Sequence, residues 1–210
     1  MADANQDVNN LGVGKGRPGG YGATAPAGFD LAQLEDVTKT LDELMKANTQ
    51  LESLGYIGED GLTFTTDTDT NDITEWGGNI VSSELSSYGE SVQVPFLESR
   101  AAVLKTVYGE ENVETKGAIT TVRHNNRFTE PRVFVFDSVI SSTKVRRSII
   151  PLGRIFERDD LSLNNSDVVS YTPTIKCMPY AGYDGDAYRD FIYDAAYVAP
   201  SPEPSTKAVK

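Results

Sequence analysis

The residues most suggestive of ligand chemistry form a glycine run near the N-terminus. Residues 14–19 (GKGRPG) match the spacing G-x-G-x-x-G, in which glycines let a backbone approach a dinucleotide pyrophosphate. That turn needs a strand before it and a helix after it, and Pro18 with Gly20 disfavours the helix. We interpret the run as part of an N-terminal arm, and the sequence predicts no cofactor.

A second ligand-like pattern is Asp67-x-Asp69-x-Asn71, whose oxygen atoms are spaced like the first ligands of a calcium loop. An EF-hand then requires glycine at the sixth position and glutamate at the twelfth, where this chain has Asp72 and Gly78. Strands are predicted on both sides, rather than helices. The pattern therefore favours a solvated acidic bend over a metal site.

The two residues best suited to nucleophilic or general-base chemistry stand alone. His124 is the only histidine, and a triad or zinc site needs several converging groups that its polar neighbours do not provide. Cys177 is the only cysteine, so it forms no intramolecular disulfide, and it alternates with apolar residues as a core side chain does. Carboxylates are plentiful, but no motif pairs them. The sequence predicts that the protein is not an enzyme.

One basic cluster interrupts this acidic chain of net charge −12, and it comprises Lys144, Arg146, Arg147, Arg154 and Arg158. Domains that bind nucleic acid specifically are usually basic, with interleaved aromatic residues. Residues 28–114 hold 18 acids and 4 bases, whereas residues 115–165 hold 5 acids and 9 bases. Such asymmetry can serve solubility alone, and it also suits head-to-tail stacking of identical subunits. We predict the four arginines as inter-subunit bases.

The elements that must position these residues are mostly strands. Residues 1–29 contain almost no large apolar side chain, which predicts either a disordered segment or an arm ordered by a neighbour. Apolar residues spaced three, four, three and seven apart predict a helix over residues 34–51, and a second, short helix stops at Gly109. Residues 132–140 (RVFVFDSVI) are apolar on both faces and should form the most buried strand. The predicted fold is mainly β, a β-sandwich or part-barrel flanked by one short α-helix, with an extended N-terminal arm.

The most distinctive segment is residues 54–78 (LGYIGEDGLTFTTDTDTNDITEWGG). It predicts a turn at Gly58 and Gly61, a strand over 62–66, an acidic bend, and a second strand over 72–82. That second strand contains Trp76, Gly77 and Gly78. Asp-Gly and paired glycines supply the positive φ angles that tight turns require.

This segment also resembles the major tail (tail tube) proteins of long-tailed, non-contractile bacteriophages. In that family a turn of the form lGyis-dG precedes a strand containing d-WGG. Residues 104–113 (LKTVYGEENV) are similar to the family's helix, which ends in vyG-env. The resemblance covers roughly residues 19–178. The chain departs from the family pattern in the long, helix-like segment before the turn.

The resemblance implies a structural virion protein. Residues 54–198 would form the β-sandwich tail-tube domain, residues 1–53 an arm containing the helix over 34–51, and residues 199–210 a disordered tail. Six copies would close a ring by joining their sheets into an inner barrel. Stacked rings would form the tube through which viral DNA passes non-specifically during ejection. We expect Gly58, Gly61, Trp76, Gly77 and Gly78 to set the fold and the assembly.

A DNA conduit should avoid basic side chains in its lumen, because each Lys or Arg adds an attractive contact to phosphate. We therefore predict Asp72, Glu75, Glu84 and Glu90 as lumen acids. The expected partners are further copies, the tape measure protein, the tail terminator and the distal tail proteins, with no membrane binding. The expected location is the phage tail, after assembly in the host bacterial cytoplasm.

Two other classes of protein fit the same composition. A carbohydrate-binding β-sandwich module would be a monomer that binds glycans through exposed aromatic residues. A capsid-decorating or tail-end ring protein would form discrete closed oligomers. Polymerisation distinguishes a tube protein from both.

Overall fold

The computed structural model describes residues 12–18, 21–127 and 129–196, so the predicted disordered tail over 199–210 lies outside the described residues. The chain is mainly β, with 44% strand and 13% helical residues. The strands are β1 (Lys15–Gly16), β2 (Gly22–Pro26), β3 (Glu52–Ser53), β4 (Thr63–Thr74), β5 (Ile80–Gln93), β6 (Val113–Lys116), β7 (Ile119–Val122), β8 (Arg132–Val139), β9 (Lys144–Arg158), β10 (Pro173–Cys177) and β11 (Arg189–Asp194). The helices are α1 (Leu41–Ala47) and α2 (Ala101–Tyr108), with 3-10 turns at Leu31–Gln33, Glu110–Asn112 and Ala181–Tyr183.

Among the described residues, nine strands form one antiparallel sheet. Seven of them follow the order β3-β2-β8-β9-β10-β5-β4, while β1 pairs with β8 and β11 pairs with β9. Strands β6 and β7 pair in a separate hairpin. The 15-residue strand β9 organises this sheet. Its first half pairs with β11 and its second half with β10, while β8 lies along its other side. The predicted mainly-β, sandwich-like fold is confirmed.

Two apolar clusters lie on opposite faces of the sheet. Phe134 and Phe136 of β8 point to a cluster that includes Val103 and Val107 of α2. Val133 and Val135 of the same strand point to a second cluster, formed with the segment that contains α1. Because side chains alternate along a strand, a strand covered on both faces is mainly apolar at successive positions. This explains why residues 132–140 predicted the most buried strand.

The helix predicted over residues 34–51 is shorter than expected, because α1 spans only Leu41–Ala47. A capping box starts α1, in which Thr40 and Glu43 satisfy each other's backbone N–H groups. Leu34 and Leu51 are buried, but they lie in non-helical backbone on either side of α1. The apolar spacing therefore identified the buried residues and overestimated the helix.

The acidic bend predicted at residues 67–71 is also wrong, because β4 continues through it to Thr74. The chain reverses at residues 75–79, where the Glu75 N–H donates to the Asn79 carbonyl and Gly78 has φ +87°. Threonine favours extended backbone, and aspartate between threonines is tolerated in this strand because its side chain stays in solvent. The strand predicted over 72–82 is therefore the far end of a long β4–β5 hairpin.

Candidate functional site

The β4–β5 hairpin projects from the body of the protein. Every residue from Asp67 to Tyr88 is exposed, whereas Val92 at the root is fully buried. At about 3.3 Å per residue, the path from Phe64 to Trp76 is roughly 40 Å. A long solvated hairpin gains little stability by itself, which makes it a candidate for contact with another molecule.

The hairpin has two unlike faces, as the cross-strand pairing shows. Tyr88, Leu85 and Ile80 pair with threonines on the face that continues from Phe64 and Val92, and we call this the apolar face. These three side chains are 58–63% exposed. The opposite face carries Asp67, Asp69 and Glu84 and is called the acidic face. Between Lys46 and Arg100 the chain has no lysine or arginine to neutralise it.

The tip of the hairpin carries the predicted residues Trp76, Gly77 and Gly78. Trp76 is fully exposed, with a relative accessibility of 105%. The other predicted turn lies at the root, where the Gly61 N–H donates to the Gly58 carbonyl and Gly61 has φ +67°. The five predicted assembly and turn residues therefore occupy opposite ends of one hairpin.

The predicted lumen acids do not share one surface. Asp72 belongs to the apolar face and Glu84 to the acidic face, while Glu75 lies at the tip. The prediction of Glu90 as a lumen acid is wrong, because this residue is buried at the root and accepts hydrogen bonds from the Thr66 and Tyr88 hydroxyls. The Glu90 carboxylate raises the pKa of Tyr88 by accepting that hydrogen bond. Glu90 therefore fixes the root of the hairpin.

The prediction of Arg147 as an inter-subunit base is also wrong, because its side chain is completely buried. Its Nε and Nη2 donate to the two Asp137 carboxylate oxygens at 2.6 and 2.7 Å. Its remaining donors reach the carbonyls of Leu34, Asp36 and Lys39. Arg147 is therefore occupied within its own subunit and does not serve as an inter-subunit base.

Arg17 completes this group, which we call the arginine clamp. Its Nη1 donates to Asp137 Oδ2 at 3.1 Å and to the carbonyls of Val37 and Lys39. The clamp holds the loop before α1 against the sheet. Arg17 belongs to the glycine run of the N-terminal segment and directly follows β1. This run therefore contributes a structural anchor to the clamp.

The other predicted bases also have partners within the subunit. Arg146 pairs with Asp190 at 2.6 Å, and its guanidinium lies 5.3 Å from the Phe64 ring centroid. Arg154 donates to the Thr129 carbonyl, and Arg158 lies 4.9 Å from the ring centroid of Tyr108. Of the three, Arg146 also borders a cavity.

A cavity of about 490 Å³ opens where the hairpin leaves the sheet, and we call it the root cavity. Its walls include the apolar or aromatic side chains of Tyr21, Ile57, Leu62 and Phe64, together with Arg146. Ser138 and Ser148 also line it, and Lys15, Glu59 and Asp60 contribute charges to it. The root cavity thus combines aromatic surface with hydrogen-bonding groups.

The residues that sequence analysis weighed for catalysis remain apart. His124 is exposed and packs edge-on against Tyr108 at 5.0 Å between ring centroids. Burial raises the pKa of the Cys177 thiol to about 12, so it is a poor nucleophile. Within residues 12–18, 21–127 and 129–196, no three His, Cys, Asp or Glu side chains converge as metal ligands do. Asp67, Asp69 and Asn71 lie in line along extended β4 rather than around a point.

Sequence reasoning missed the arginine clamp and the apolar face. The apolar face escaped detection because two β-bulges interrupt the hairpin, so Ile80, Leu85 and Tyr88 do not follow an alternating pattern. The clamp escaped detection because arginine is normally assigned to the surface. The available signal was Asp137, which directly follows the apolar residues 133–136, since an acid in a buried strand needs a cationic partner.

Comparison with known proteins identifies one family. The model of the family described as phage tail tube protein matches residues 18–202. No curated protein matches the chain. In the described part of the chain, neither α1 nor α2 has the length and apolarity of a membrane-spanning helix.

Proposed function

Because this chain belongs to the phage tail tube protein family, we propose that it is the repeating subunit of stacked hexameric rings that conduct DNA during ejection. The family establishes the coarser function: a structural protein of the virion tail that self-assembles into a tube and associates with other tail proteins. The proposal adds the ring symmetry, the contacts that build the tube, and its role as a conduit. It assigns no catalytic step to the chain.

The observation that carries this proposal is the exposed β4–β5 hairpin. Its apolar face leaves Tyr88, Leu85 and Ile80 in solvent, and its tip leaves Trp76 there as well. Several exposed large apolar side chains on one face of an element are typical of protein–protein contact sites. Contact with a neighbouring copy would remove this surface from water and would stabilise a hairpin that packs on its own subunit only at the root.

Open sheet edges provide a route to ring closure. Among the described strands, β4 pairs with β5 alone and β11 pairs with β9 alone. An unpaired strand edge is a template for pairing with another chain. In the proposed ring, such edges from neighbouring subunits join into a continuous inner barrel.

The acidic face of the hairpin suits a surface that DNA passes. Glu84 lies there with Asp67 and Asp69, so it replaces the predicted set of four as the centre of the proposed lumen lining. Asp72 lies on the opposite face of the hairpin, so a single lumen surface does not include both Asp72 and Glu84. Glutamine and asparagine at positions 84, 67 and 69 should make the lumen less negative and change the rate of DNA ejection. Unchanged ejection from such virions would contradict this part of the proposal.

The remaining parts of the proposal concern partners and location. We assign the tape measure protein, the tail terminator and the distal tail proteins as partners, and the host bacterial cytoplasm as the place of assembly. We keep Arg146, Arg154 and Arg158 in the proposal as inter-subunit bases, in addition to the contacts that each makes within its own subunit.

Negative-stain electron microscopy of the purified chain over a range of concentrations tests the proposal. Hollow tubes or hexameric rings are the expected result, with sedimentation velocity recording the growth of the species. Discrete trimers would favour a capsid-decorating or tail-end protein. A persistent monomer that binds glycans would favour a carbohydrate-binding module, and both outcomes would refute the proposed ring and tube.

A further inference from the structure

Trp76 is the single tryptophan of the chain and the most exposed large apolar side chain among the residues that the structure describes. It stands at the tip of the hairpin, beside Gly77 and Gly78, where the turn supplies no neighbouring side chain to cover it. Tryptophan at such a position is typical of an anchor that fills a pocket on a partner. We propose that Trp76 of one copy inserts into the root cavity of a second copy. This inference rests on the proposed self-assembly and names the contact that links successive subunits.

The root cavity has the composition that a tryptophan anchor requires. Tyr21, Phe64, Ile57 and Leu62 supply aromatic and aliphatic walls, and its volume of about 490 Å³ accommodates an indole ring. Arg146 presents a guanidinium, which favours the face of an indole ring through a cation–π interaction. Its Nε is buried and has no hydrogen-bond partner among the described residues.

The charges that line the root cavity are mixed, and one of them suits the tip. Lys15 borders the cavity and gives the carboxylate of Glu75, which precedes Trp76 directly, a cation to pair with. Glu59 and Asp60 also border the cavity and can accept a hydrogen bond from the indole N–H. The cavity therefore provides partners for both polar groups that accompany the ring.

Geometry requires that the two surfaces belong to different copies. Leu62 and Phe64 wall the cavity at the root of the hairpin, and Trp76 lies roughly 40 Å away along β4. Within one subunit the tip therefore cannot reach its own cavity. When the tip of one copy enters the cavity of a second copy, the first copy still has an empty cavity and the second copy still has an unbound tip. This heterologous contact propagates instead of closing as an isologous dimer does.

The first test uses the intrinsic fluorescence of Trp76. Iodide or acrylamide should quench it fully in dilute monomer, and assembly should shift its emission to the blue and protect it from the quencher. Assemblies that form while Trp76 remains fully quenchable would overturn the inference and leave the proposed function intact. If wild-type chains do not assemble at all, the proposed function itself fails.

The second test uses two complementary variants and a matched control. Trp76→Ala removes the anchor, and Ser138→Phe fills the root cavity; circular dichroism and a melting curve verify that each still folds. Each should raise the critical concentration for assembly at least about thirty-fold, as expected for loss of a hot-spot contact. Ile119→Ala removes an exposed apolar side chain of the separate β6–β7 hairpin and should assemble like wild type.

Mixing the two variants provides the decisive result. The Ser138→Phe variant retains Trp76 at its tip, and the Trp76→Ala variant retains an open root cavity. The tip of the first variant can therefore bind the cavity of the second. The mixture should give two-layer complexes that stop growing, whereas neither variant alone should associate in this way. Tubes from Trp76→Ala alone at the wild-type concentration, or no complex from the mixture, would overturn the inference.

Discussion

Replacing Asp137 with asparagine should strongly destabilise the folded subunit. The Asp137 carboxylate is fully buried and accepts three hydrogen bonds, two from Arg147 and one from Arg17. Asparagine keeps the side-chain volume, so no cavity forms. It removes the negative charge that forms ion pairs with both guanidinium groups, and the amide NH2 that replaces one carboxylate oxygen faces their N–H donors.

The magnitude follows from burial. Breaking a buried ion pair by removing one partner costs about 3–5 kcal/mol, because the other charge stays desolvated and uncompensated. Both Arg147 and Asp137 have side chains with 0% accessibility, which places this pair in the buried class. For a chain of this size, about 2–4 °C per kcal/mol converts the loss to a melting temperature lower by roughly 6–20 °C.

Urea denaturation and thermal melting, both followed by circular dichroism on dilute monomer, measure the effect. Lys116→Ala is the matched control, because its ion pair with Glu114 is solvent-exposed and should contribute at most about 1 kcal/mol. Arg147→Met completes a double-mutant cycle. The double variant Asp137→Asn/Arg147→Met should cost less than the sum of the single variants by about 1–3 kcal/mol, since the residues contact each other directly.

A loss below about 1 kcal/mol for Asp137→Asn would refute this reasoning. It would mean that the loop before α1 is held by its apolar contacts alone. Simple additivity in the cycle would equally contradict direct coupling between Asp137 and Arg147.

Three further predictions concern the hairpin and the core. Residues 67–89 replaced by Asn-Gly should abolish tubes in electron microscopy, because Thr66 and Glu90 face each other and a two-residue turn can join them. The melting temperature should fall by no more than the roughly 2–12 °C that loss of the Tyr88 hydrogen bond to Glu90 accounts for. Tyr88→Phe should cost about 1–3 kcal/mol in urea denaturation by removing a donor from buried Glu90; a neutral result would contradict this hydrogen bond. Burial raises the pKa of Cys177 from 9.0 to about 12, so the stability from its protonated thiol is complete below pH 9 and is lost as pH rises towards 12. Denaturation at pH 8 and 11 should show a smaller loss in Cys177→Ala than in wild type, and equal losses would exclude this contribution.

The predictable part of the fold is the part in which local pattern and burial agree. Residues 132–140 are apolar on both faces because β8 is covered on both faces, and the sequence alone reveals this. The turns at Gly61 and Gly78 were predictable because their positive φ angles favour glycine. Family membership was predictable from the short motifs around these turns.

The unpredicted part depends on long-range contacts. The Asp/Thr run suits both a bend and a solvated strand, and pairing with β5 decides between them. The helix over 34–51 was overestimated because Arg17 and Arg147 bind the carbonyls of the preceding loop, which holds that loop in a non-helical path. Those arginines are distant in sequence from the loop they bind, so no local pattern contains them.

The length of the hairpin has a consequence for the size of the virion. If Trp76 of each layer reaches the root of the next, the residues between Phe64 and Trp76 determine the axial distance that one layer adds to the tail. Removing two facing residues from each strand would shorten that distance by up to about 7 Å and keep every side chain on its face. Removing one from each strand would exchange the two faces. Under the proposed contact, the axial repeat of the tail would vary only in steps of two residues.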